Sequence, residues 1–199
     1  MKKIIINIGR QFGSGGKSVA VYLGGKLGIP VYDGELINQA AKRSGIYPEI
    51  FEKTDERRRF LNVGGIFGAG RHGGFSKSPI GDSELFRIQS EAIRALAEEG
   101  SAIFLGRASD YVLRDMKCTD VFICAPLEER IRRVSERMGI SSEKARQVIA
   151  ERERSRENYY NYFTLEHWGV ASNYDLCIDS SILGIEGTGD FIIDFLNRI

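Results

Sequence analysis

The sequence has few of the residues that hold disulfide-rich or metal-bound domains together. Its three cysteines, Cys118, Cys124 and Cys177, do not follow a metal-ligand spacing, and it has only two histidines. Cys124 and Cys177 lie in apolar runs typical of strands, which predicts buried thiols without disulfides. These shortages argue against a secreted, disulfide-stabilised fold and favour a reducing cytoplasm.

The sequence also lacks a charge excess and a long apolar run. Its 28 lysines and arginines nearly balance 27 aspartates and glutamates, leaving a net charge of +1. This balance argues against general attraction to nucleic acid or to an acidic membrane surface. We find no signal peptide and no apolar run long enough to span a bilayer. We therefore expect a cytoplasmic protein that binds small molecules, without nucleic acid or membrane partners; the oligomeric state is not indicated.

What the sequence does contain is an alternation of strand-like and helix-like segments along its 199 residues. Strands are predicted at 3–8, 29–32, 102–105, 120–125 and 176–178. Helices are predicted at 18–27, 35–43, 83–99, 108–113, 127–138, 143–156 and 189–198. Because strands alternate with helices and the first strand is apolar on both sides, we predict an α/β fold with a doubly wound, mainly parallel five-stranded sheet and helices on both faces.

The segment between the first strand and the first helix is rich in glycine. An apolar run at 4–8 is followed by four glycines and then a lysine and a serine: Gly9, Gly13, Gly15, Gly16, Lys17 and Ser18. Glycines let backbone N–H groups approach phosphate oxygens, and the helix dipole adds partial positive charge. A dinucleotide-binding loop would need a third glycine that is missing here. The pattern predicts that residues 10–18 bind the phosphates of a nucleotide.

The usual phosphate-loop pattern, G-x-x-x-x-G-K-[ST], fits this segment in two registers. In the first, residues 16–18 match the end of the pattern, but the leading glycine falls on Gln11. In the second, residues 13–15 align with the Gly-Ser-Gly of many small kinases.

The second register changes which side chains meet the phosphates. The lysine place then falls on Gly16, the serine place falls on Lys17, and Arg10 replaces the leading glycine. We favour this register because it keeps residues 19–20 in phase with the helix of those kinases. The positive charge would then come from Lys17 or Arg10.

Five further segments resemble the cytidylate kinase-like family: 27–33, 103–113, 156–162, 167–169 and 173–181. The resemblance implies the nucleoside monophosphate kinase fold of the P-loop NTPases. It also implies ATP-dependent phosphoryl transfer, with Mg²⁺, to a nucleoside monophosphate such as CMP or dCMP. Two alternatives stay open: a nucleotide-binding protein without transferase activity, and a kinase for a different small acceptor.

The domain organisation expected from this resemblance is one domain over residues 1–199 with two specialised parts. Residues 45–83 contain seven glycines between Gly64 and Gly81, which predicts a mobile segment on the acceptor side. Residues 127–165 are helical and rich in arginine, and the resemblance implies that they form a lid. Within the lid it picks out Arg154 and Arg156 as phosphate contacts.

Arginine suits phosphoryl transfer because its planar guanidinium binds phosphate oxygens bidentately and stays charged. Arg107 directly follows an apolar strand, at the sheet edge where ligands of open α/β folds bind. We assign it to the acceptor phosphate; the alternative is an ion pair with Asp110 or Asp33.

The predicted site residues divide by role. The catalytic candidates are Lys17, Arg107, Arg154 and Arg156. The ATP-binding candidates are Arg10, Gly13, Ser14, Gly15, Gly16, Lys17, Ser18 and Arg133. The acceptor-binding candidates are Asp33, Arg107 and Asp110, although Asp33 could also order Mg²⁺ through water or be only a turn aspartate. Ser18, or Ser14, is the candidate Mg²⁺ ligand.

Overall fold

The computed structural model describes residues 3–43, 45 and 82–199, and within them five strands form one parallel sheet. The strands are β1 (Ile5–Arg10), β2 (Val31–Tyr32), β3 (Ala102–Leu105), β4 (Thr119–Cys124) and β5 (Leu176–Asp179). Their order is β2-β3-β1-β4-β5, and every pairing is parallel. The predicted fold class is therefore confirmed.

Each strand of the described residues is followed by at least one helix. The helices are α1 (Gly16–Leu27), α2 (Gly34–Arg43), α3 (Asp82–Glu99), α4 (Ser109–Val112), α5 (Leu127–Met138), α6 (Ser142–Thr164) and α7 (Ser180–Leu196), with a 3₁₀ turn at Ala171–Asn173. Within these ranges, none of the helices is both long and apolar enough to cross a membrane.

Alternate residues of the central strand β1 belong to two different cores. Ile6 and Ile8 pack with residues of α1 and α7 on one face of the sheet. Ile5 packs with residues of α2, α3 and α4 on the other face. Successive side chains of a strand point to opposite faces, so a strand covered on both faces is mostly apolar on both of its sides. This explains the apolar run at the start of the chain, in which the polar Asn7 is buried and donates a hydrogen bond to Asp120 Oδ1 at 2.8 Å.

Two boundaries around the glycine-rich segment differ from the prediction. β1 ends at Arg10 rather than at residue 8, because Gly9 and Arg10 pair with Phe122 and Ile123 of β4. Helix α1 begins at Gly16 rather than at residue 18. Arg10 is thus a strand residue, and only residues 11–15 remain to form the loop. Gly28 ends α1 as a C-cap in the left-handed conformation (φ 66°).

The last helix begins nine residues earlier than predicted. Asp179 caps α7 by accepting a hydrogen bond from the Ser181 N–H at 2.8 Å, so helical structure starts at Ser180. Gly184 departs from helical geometry (φ 69°) and divides α7 into a short first part and a long second part. The short part directly follows β5, and its first residue, Ser180, contacts the carbonyl of Ser14 in the glycine-rich loop.

Of two other predictions, the structure contradicts one, and the other concerns residues that the structure does not describe. Cys177 is exposed rather than buried, because β5 is an edge strand of the sheet. The predicted acceptor-side segment at 45–83 lies outside the described residues, apart from Gly45 and the first two residues of α3.

Replacing either of two adjacent glycines of α1 with alanine is expected to change stability, in opposite directions at the two positions. A Cβ on buried Gly24 would lie 2.5 Å from Val31 Cγ2, so Gly24 allows β2 to pack against the helix. A Cβ on Gly25 would meet nothing within 4 Å. Gly25→Ala should raise the free energy of unfolding by about 0.5–1 kcal/mol, whereas Gly24→Ala should lower it by about 1–3 kcal/mol. Urea denaturation of both variants measures these changes, and a shift of the same sign in both would contradict the packing at Gly24.

Candidate active site

A cavity of about 470 Å³ opens at the carboxyl ends of β1 and β3, the edge where ligands bind in open α/β sheets. Of the residues that the structure describes, five with cationic side chains line it: Arg10, Lys17, Arg107, Arg152 and Arg156. Two with carboxylates also line it, Asp33 and Asp110. The cavity therefore combines excess positive charge with the end of the glycine-rich loop.

The loop keeps its backbone N–H groups available. Gly13 and Gly15 have positive φ angles of 85° and 80°, which residues with a Cβ rarely adopt. Among the described residues, no acceptor is found for the N–H groups of Gly13, Gly15, Gly16, Lys17 or Ser18. Unpaired amides at a helix N-terminus suit phosphate oxygens, so this loop fits the polyphosphate of a nucleotide.

Two predicted ATP ligands instead support the loop from the side away from the cavity. The buried Ser14 hydroxyl donates to the Gln11 carbonyl at 3.0 Å. The Ser14 carbonyl accepts hydrogen bonds from the Ser180 hydroxyl and, at 3.0 Å, from Arg133 Nη1. Arg133 also donates to Glu129 Oε1 at 2.7 Å. The assignment of the Ser14 and Arg133 side chains to phosphate stays a prediction, and in this structure both are engaged in holding the loop in shape.

Arg10 occupies the space next to Gly16. A Cβ on Gly16 would lie 2.8 Å from Arg10 Cβ, and a Cβ on Gly106 would lie 2.5 Å from Arg10 Nη1. The Arg10 side chain therefore runs from the loop towards the end of β3. Burial and the positive charges of Arg156 and Arg107 lower the pKa of Arg10 to about 9. Such crowding of cations favours binding of an anion among them.

Lys17 and Asp33 form an ion pair at the cavity mouth. Lys17 Nζ lies 2.9 Å from Asp33 Oδ2. Asp33 Oδ1 accepts hydrogen bonds from the backbone N–H groups of Glu35 (3.1 Å) and Leu36 (3.2 Å), so Asp33 caps α2. Partial burial opposes the shift, but the hydrogen bond from Lys17 and these amides lower the pKa of Asp33. The Lys17 ammonium is thus anchored to a carboxylate that is itself fixed by the backbone.

Arg107 lies in an unusual backbone segment. Gly106, Arg107 and Ala108 all have positive φ angles, of 73°, 64° and 52°. Two consecutive non-glycine residues in this conformation cost energy that the surrounding structure must offset, and such strain clusters at functional sites. The Arg107 guanidinium lies over the ring of Tyr159, 5.5 Å from its centroid. This contact directs the side chain along the cavity wall.

The predicted alternative for Arg107, an ion pair with Asp33 or Asp110, is not found among the described residues. Asp33 pairs with Lys17, and Asp110 Oδ2 accepts a hydrogen bond from the Tyr160 hydroxyl at 2.7 Å. Burial raises the pKa of Asp110, although the Tyr160 bond opposes this shift. Arg107 therefore keeps donors for an anion from outside the chain.

Helix α6 contributes Arg152 and Arg156 to the cavity wall, but not Arg154. Residues four apart share a helix face, whereas residues two apart are separated by about 200° around the axis. Arg154 is exposed and does not line the cavity, so its assignment to phosphate stays a prediction that this geometry does not support. Arg156 Nη1 donates to the Arg10 carbonyl at 2.9 Å. Burial and the neighbouring arginines lower the pKa of Arg156 to about 10.

The sequence of this chain matches a known protein family over most of its length. The model of the cytidylate kinase-like family matches residues 5–182. The chain belongs to the cytidylate kinase-like family. The cytidylate kinase of Methanopyrus kandleri is 32% identical over 192 residues, covering 89% of this chain and 85% of that relative. The prediction that the chain is a nucleotide kinase is confirmed by this membership.

Solved structures agree on the fold of this cytidylate kinase-like chain. An uncharacterized protein from Eubacterium ventriosum superposes with a TM-score of 0.74 and 26% identity, over 99% of this chain and 100% of that one. The shikimate kinase of Bacteroides thetaiotaomicron superposes with a TM-score of 0.56 and 12% identity, over 98% of both chains. The second likeness concerns the fold alone.

Phe12 lies in the glycine-rich loop and contacts the arginine-rich helices, and the sequence analysis did not identify it as a site residue. Its ring packs with the apolar residues between α5 and α6, and the guanidinium groups of Arg137 and Arg156 lie 5.3 and 5.4 Å from its centroid. Its N–H donates to Glu153 Oε1 at 3.3 Å. An aromatic residue inside a glycine-rich loop was the available signal. Phe12 joins the loop to the helices predicted as the lid.

The residues expected to hold Mg²⁺ do not suit the ion well. Ser18, the predicted ligand, is exposed and does not line the cavity. The Ser14 hydroxyl is buried and donates to a carbonyl. The Asp33 carboxylate is engaged by Lys17 and two amides. In kinases Mg²⁺ binds mainly water and substrate phosphates and needs only one or two protein oxygens, but none of these three side chains offers an oxygen at the cavity that is not already engaged.

Proposed function

We propose that this chain transfers the terminal phosphoryl group of ATP to a nucleoside monophosphate, with CMP or dCMP as the first candidates. One observation carries the proposal: a glycine-rich loop with unpaired amides adjoins a cavity that five cationic side chains line, and Phe12 and Lys17 on either side of the glycines reach that cavity. This combination matches the need of phosphoryl transfer, which depends on positioning and on neutralising the charge of the phosphates.

The proposed roles follow from the positions of the side chains. ATP supplies the phosphoryl group, and its phosphates bind the N–H groups of Gly13 and of residues 15–18. Arg107 binds the phosphate of the acceptor, because it lies at the end of β3 and is not in an ion pair with Asp33 or Asp110. Arg152 and Arg156 approach from α6 and neutralise charge that develops during transfer. Family relatives named cytidylate kinases support a pyrimidine monophosphate as the acceptor.

A coupled assay of ADP formation tests this proposal. The full chain is incubated with ATP, Mg²⁺ and one acceptor at a time: CMP, dCMP, UMP, AMP, GMP, dTMP, or a small hydroxylated metabolite. We expect ADP formation above the acceptor-free background, fastest with CMP or dCMP. Turnover only with a non-nucleotide acceptor would contradict the nucleoside monophosphate assignment.

A binding protein without transferase activity is the second candidate, and Gly16 is the observation that favours it. In the register supported by the start of α1, the lysine of the phosphate-loop pattern is absent. ATP binding by calorimetry without acceptor-dependent ADP formation, by a protein with native circular dichroism, would identify this candidate. Turnover with any nucleoside monophosphate would exclude it.

A further inference from the structure

The start of helix α1 determines which residues occupy the last places of the phosphate-loop pattern. Gly15 is the left-handed N-cap, and α1 begins with the next residue. The sequence G-K-[ST] of the pattern then corresponds to residues 15–17. Gly16 stands where the pattern has lysine, and Lys17 stands where it has the hydroxyl that binds Mg²⁺. A cation therefore occupies the place of a metal ligand.

Lys17 is held in this place although 70% of its side chain is exposed. Its ammonium contacts Asp33 at 2.9 Å, and the other carboxylate oxygen of Asp33 is fixed by two backbone amides of α2. An ammonium group has three donors, so the bond to Asp33 leaves two for another acceptor. Asp33 thereby acts as a positioning residue for Lys17.

Arg10 supplies a second cation, whose stem passes the vacant lysine place and whose guanidinium lies beside Gly106. Its Cβ lies beside Gly16, where any larger residue would collide with it. Arg107 and Arg156 are near enough to repel its charge. A divalent cation entering the same space would meet the repulsion of all these groups unless phosphates neutralised them first. The cavity thus already contains the positive charge that Mg²⁺ otherwise supplies to a polyphosphate.

Given the proposed function, we propose that Lys17 replaces loop-bound Mg²⁺ in neutralising the nucleotide phosphates, with Arg10 in the role of the missing lysine. The chain consequently binds adenine nucleotide about as tightly without Mg²⁺ as with it. Asp33 keeps the ammonium at the first turn of α1 in both conditions.

Calorimetric titration with ADP and with a non-hydrolysable ATP analogue measures this directly. The full chain is titrated in a buffer with Mg²⁺ and in one with EDTA at equal ionic strength. We expect the two dissociation constants of each nucleotide to agree within about threefold, or binding to be tighter in EDTA because the uncomplexed nucleotide carries more charge. Binding at least about tenfold weaker in EDTA would overturn the inference.

Three variants identify the group responsible. Lys17→Thr gives the loop the hydroxyl of the usual pattern. Nucleotide binding by this variant should be weaker by about tenfold or more in EDTA and should return to the original affinity when Mg²⁺ is added. Lys17→Arg should keep binding independent of Mg²⁺. Lys26→Thr is the matched control, because Lys26 is an exposed lysine in the last turn of the same helix, beside Asp190. It should change neither dissociation constant.

The outcomes separate this inference from the proposed function. Absence of nucleotide binding in both buffers, by a protein with native circular dichroism, would contradict the proposed function itself. Binding that requires Mg²⁺ would leave the kinase assignment intact and contradict only the role of Lys17. The role of Lys17 would equally be wrong if Lys17→Thr had no effect in EDTA while Ser18→Ala weakened binding in Mg²⁺ about tenfold.

Discussion

Replacing Arg156 with glutamine is expected to lower kcat/KM for phosphoryl transfer by about 100-fold to 1,000-fold. Arg156 lines the cavity, and its guanidinium is held by the Arg10 carbonyl at 2.9 Å and by the Phe12 ring. A group fixed in this way neutralises charge in the transition state without reorganising. Steady-state kinetics with the acceptor that proves most active in the ADP assay would measure the loss.

The stability of the Arg156 variant distinguishes a loss of chemistry from a loss of structure. Glutamine removes one cation from a crowded group, and the relief of repulsion offsets the lost bond to the Arg10 carbonyl. We therefore expect the Tm to change by less than about 3 °C. A large fall in Tm together with the loss of activity would indicate that Arg156 acts mainly through the fold.

Arg154→Gln is the matched control, since it makes the same change two residues away on α6. Arg154 is exposed and does not line the cavity. Its replacement should alter kcat/KM by less than about threefold, as expected for a surface charge. Equal losses in the two variants would contradict the assignment of Arg156 to the cavity and of Arg154 to the outer surface.

Much of the fold could be predicted from local patterns. The apolar run of β1 and the alternation of strands with helices indicate a parallel sheet covered on both faces, because only such a strand needs no polar side. The glycines at 13, 15 and 16 indicate a loop whose amides remain available. The end of β1 was misplaced by two residues, since the pairing of Gly9 and Arg10 depends on β4, more than 100 residues away.

The roles of individual polar residues could not be predicted in the same way. Ser14 and Arg133 have the chemistry of phosphate ligands, but Ser180, from a distant part of the chain, donates to the Ser14 carbonyl beside Arg133 and also accepts a hydrogen bond from Arg133. A helix also determines which of several similar residues faces inward. The resemblance picked out Arg154 and Arg156, whereas α6 brings Arg152 and Arg156 to the cavity.

Backbone strain at the end of β3 was equally hidden from the sequence. Gly106 is a residue type expected at positive φ, but Arg107 and Ala108 are not. Only the packing of the surrounding elements, including the contact between Arg107 and Tyr159, can hold them there. The position of Arg107 was therefore predictable from the strand pattern, whereas its conformation was not.

Removing Glu153 is expected to destabilise the protein by about 3–5 kcal/mol, because it leaves a buried guanidinium without its counterion. Arg130 Nη1 lies 2.7 Å from Glu153 Oε1, and only 8% of the Arg130 side chain is exposed. Arg130 Nε also donates to the Ala125 carbonyl at 2.9 Å. Urea denaturation of Glu153→Ala would measure the loss, which is a large part of the stability of an ordinary domain.

The exposed pair between the same two helices provides the control. Arg146 of α6 and Glu128 of α5 are also 2.7 Å apart, but their side chains are 53% and 78% exposed. Glu128→Ala should cost no more than about 1 kcal/mol, because water solvates both charges when the pair is broken. A cost for Glu153→Ala as small as that for Glu128→Ala would contradict the importance of the buried pair.

A double variant distinguishes the effect of the buried Arg130–Glu153 pair on stability from the effect of the hydrogen bond between Phe12 and Glu153 on activity. Arg130→Met combined with Glu153→Ala removes both charges and should recover part of the stability lost in Glu153→Ala. Activity should not recover, since the Phe12 N–H still lacks the Glu153 carboxylate that joins the phosphate loop to α6. If activity returned together with stability, the buried pair would serve the fold alone, and the link between loop and helix would have no part in phosphoryl transfer.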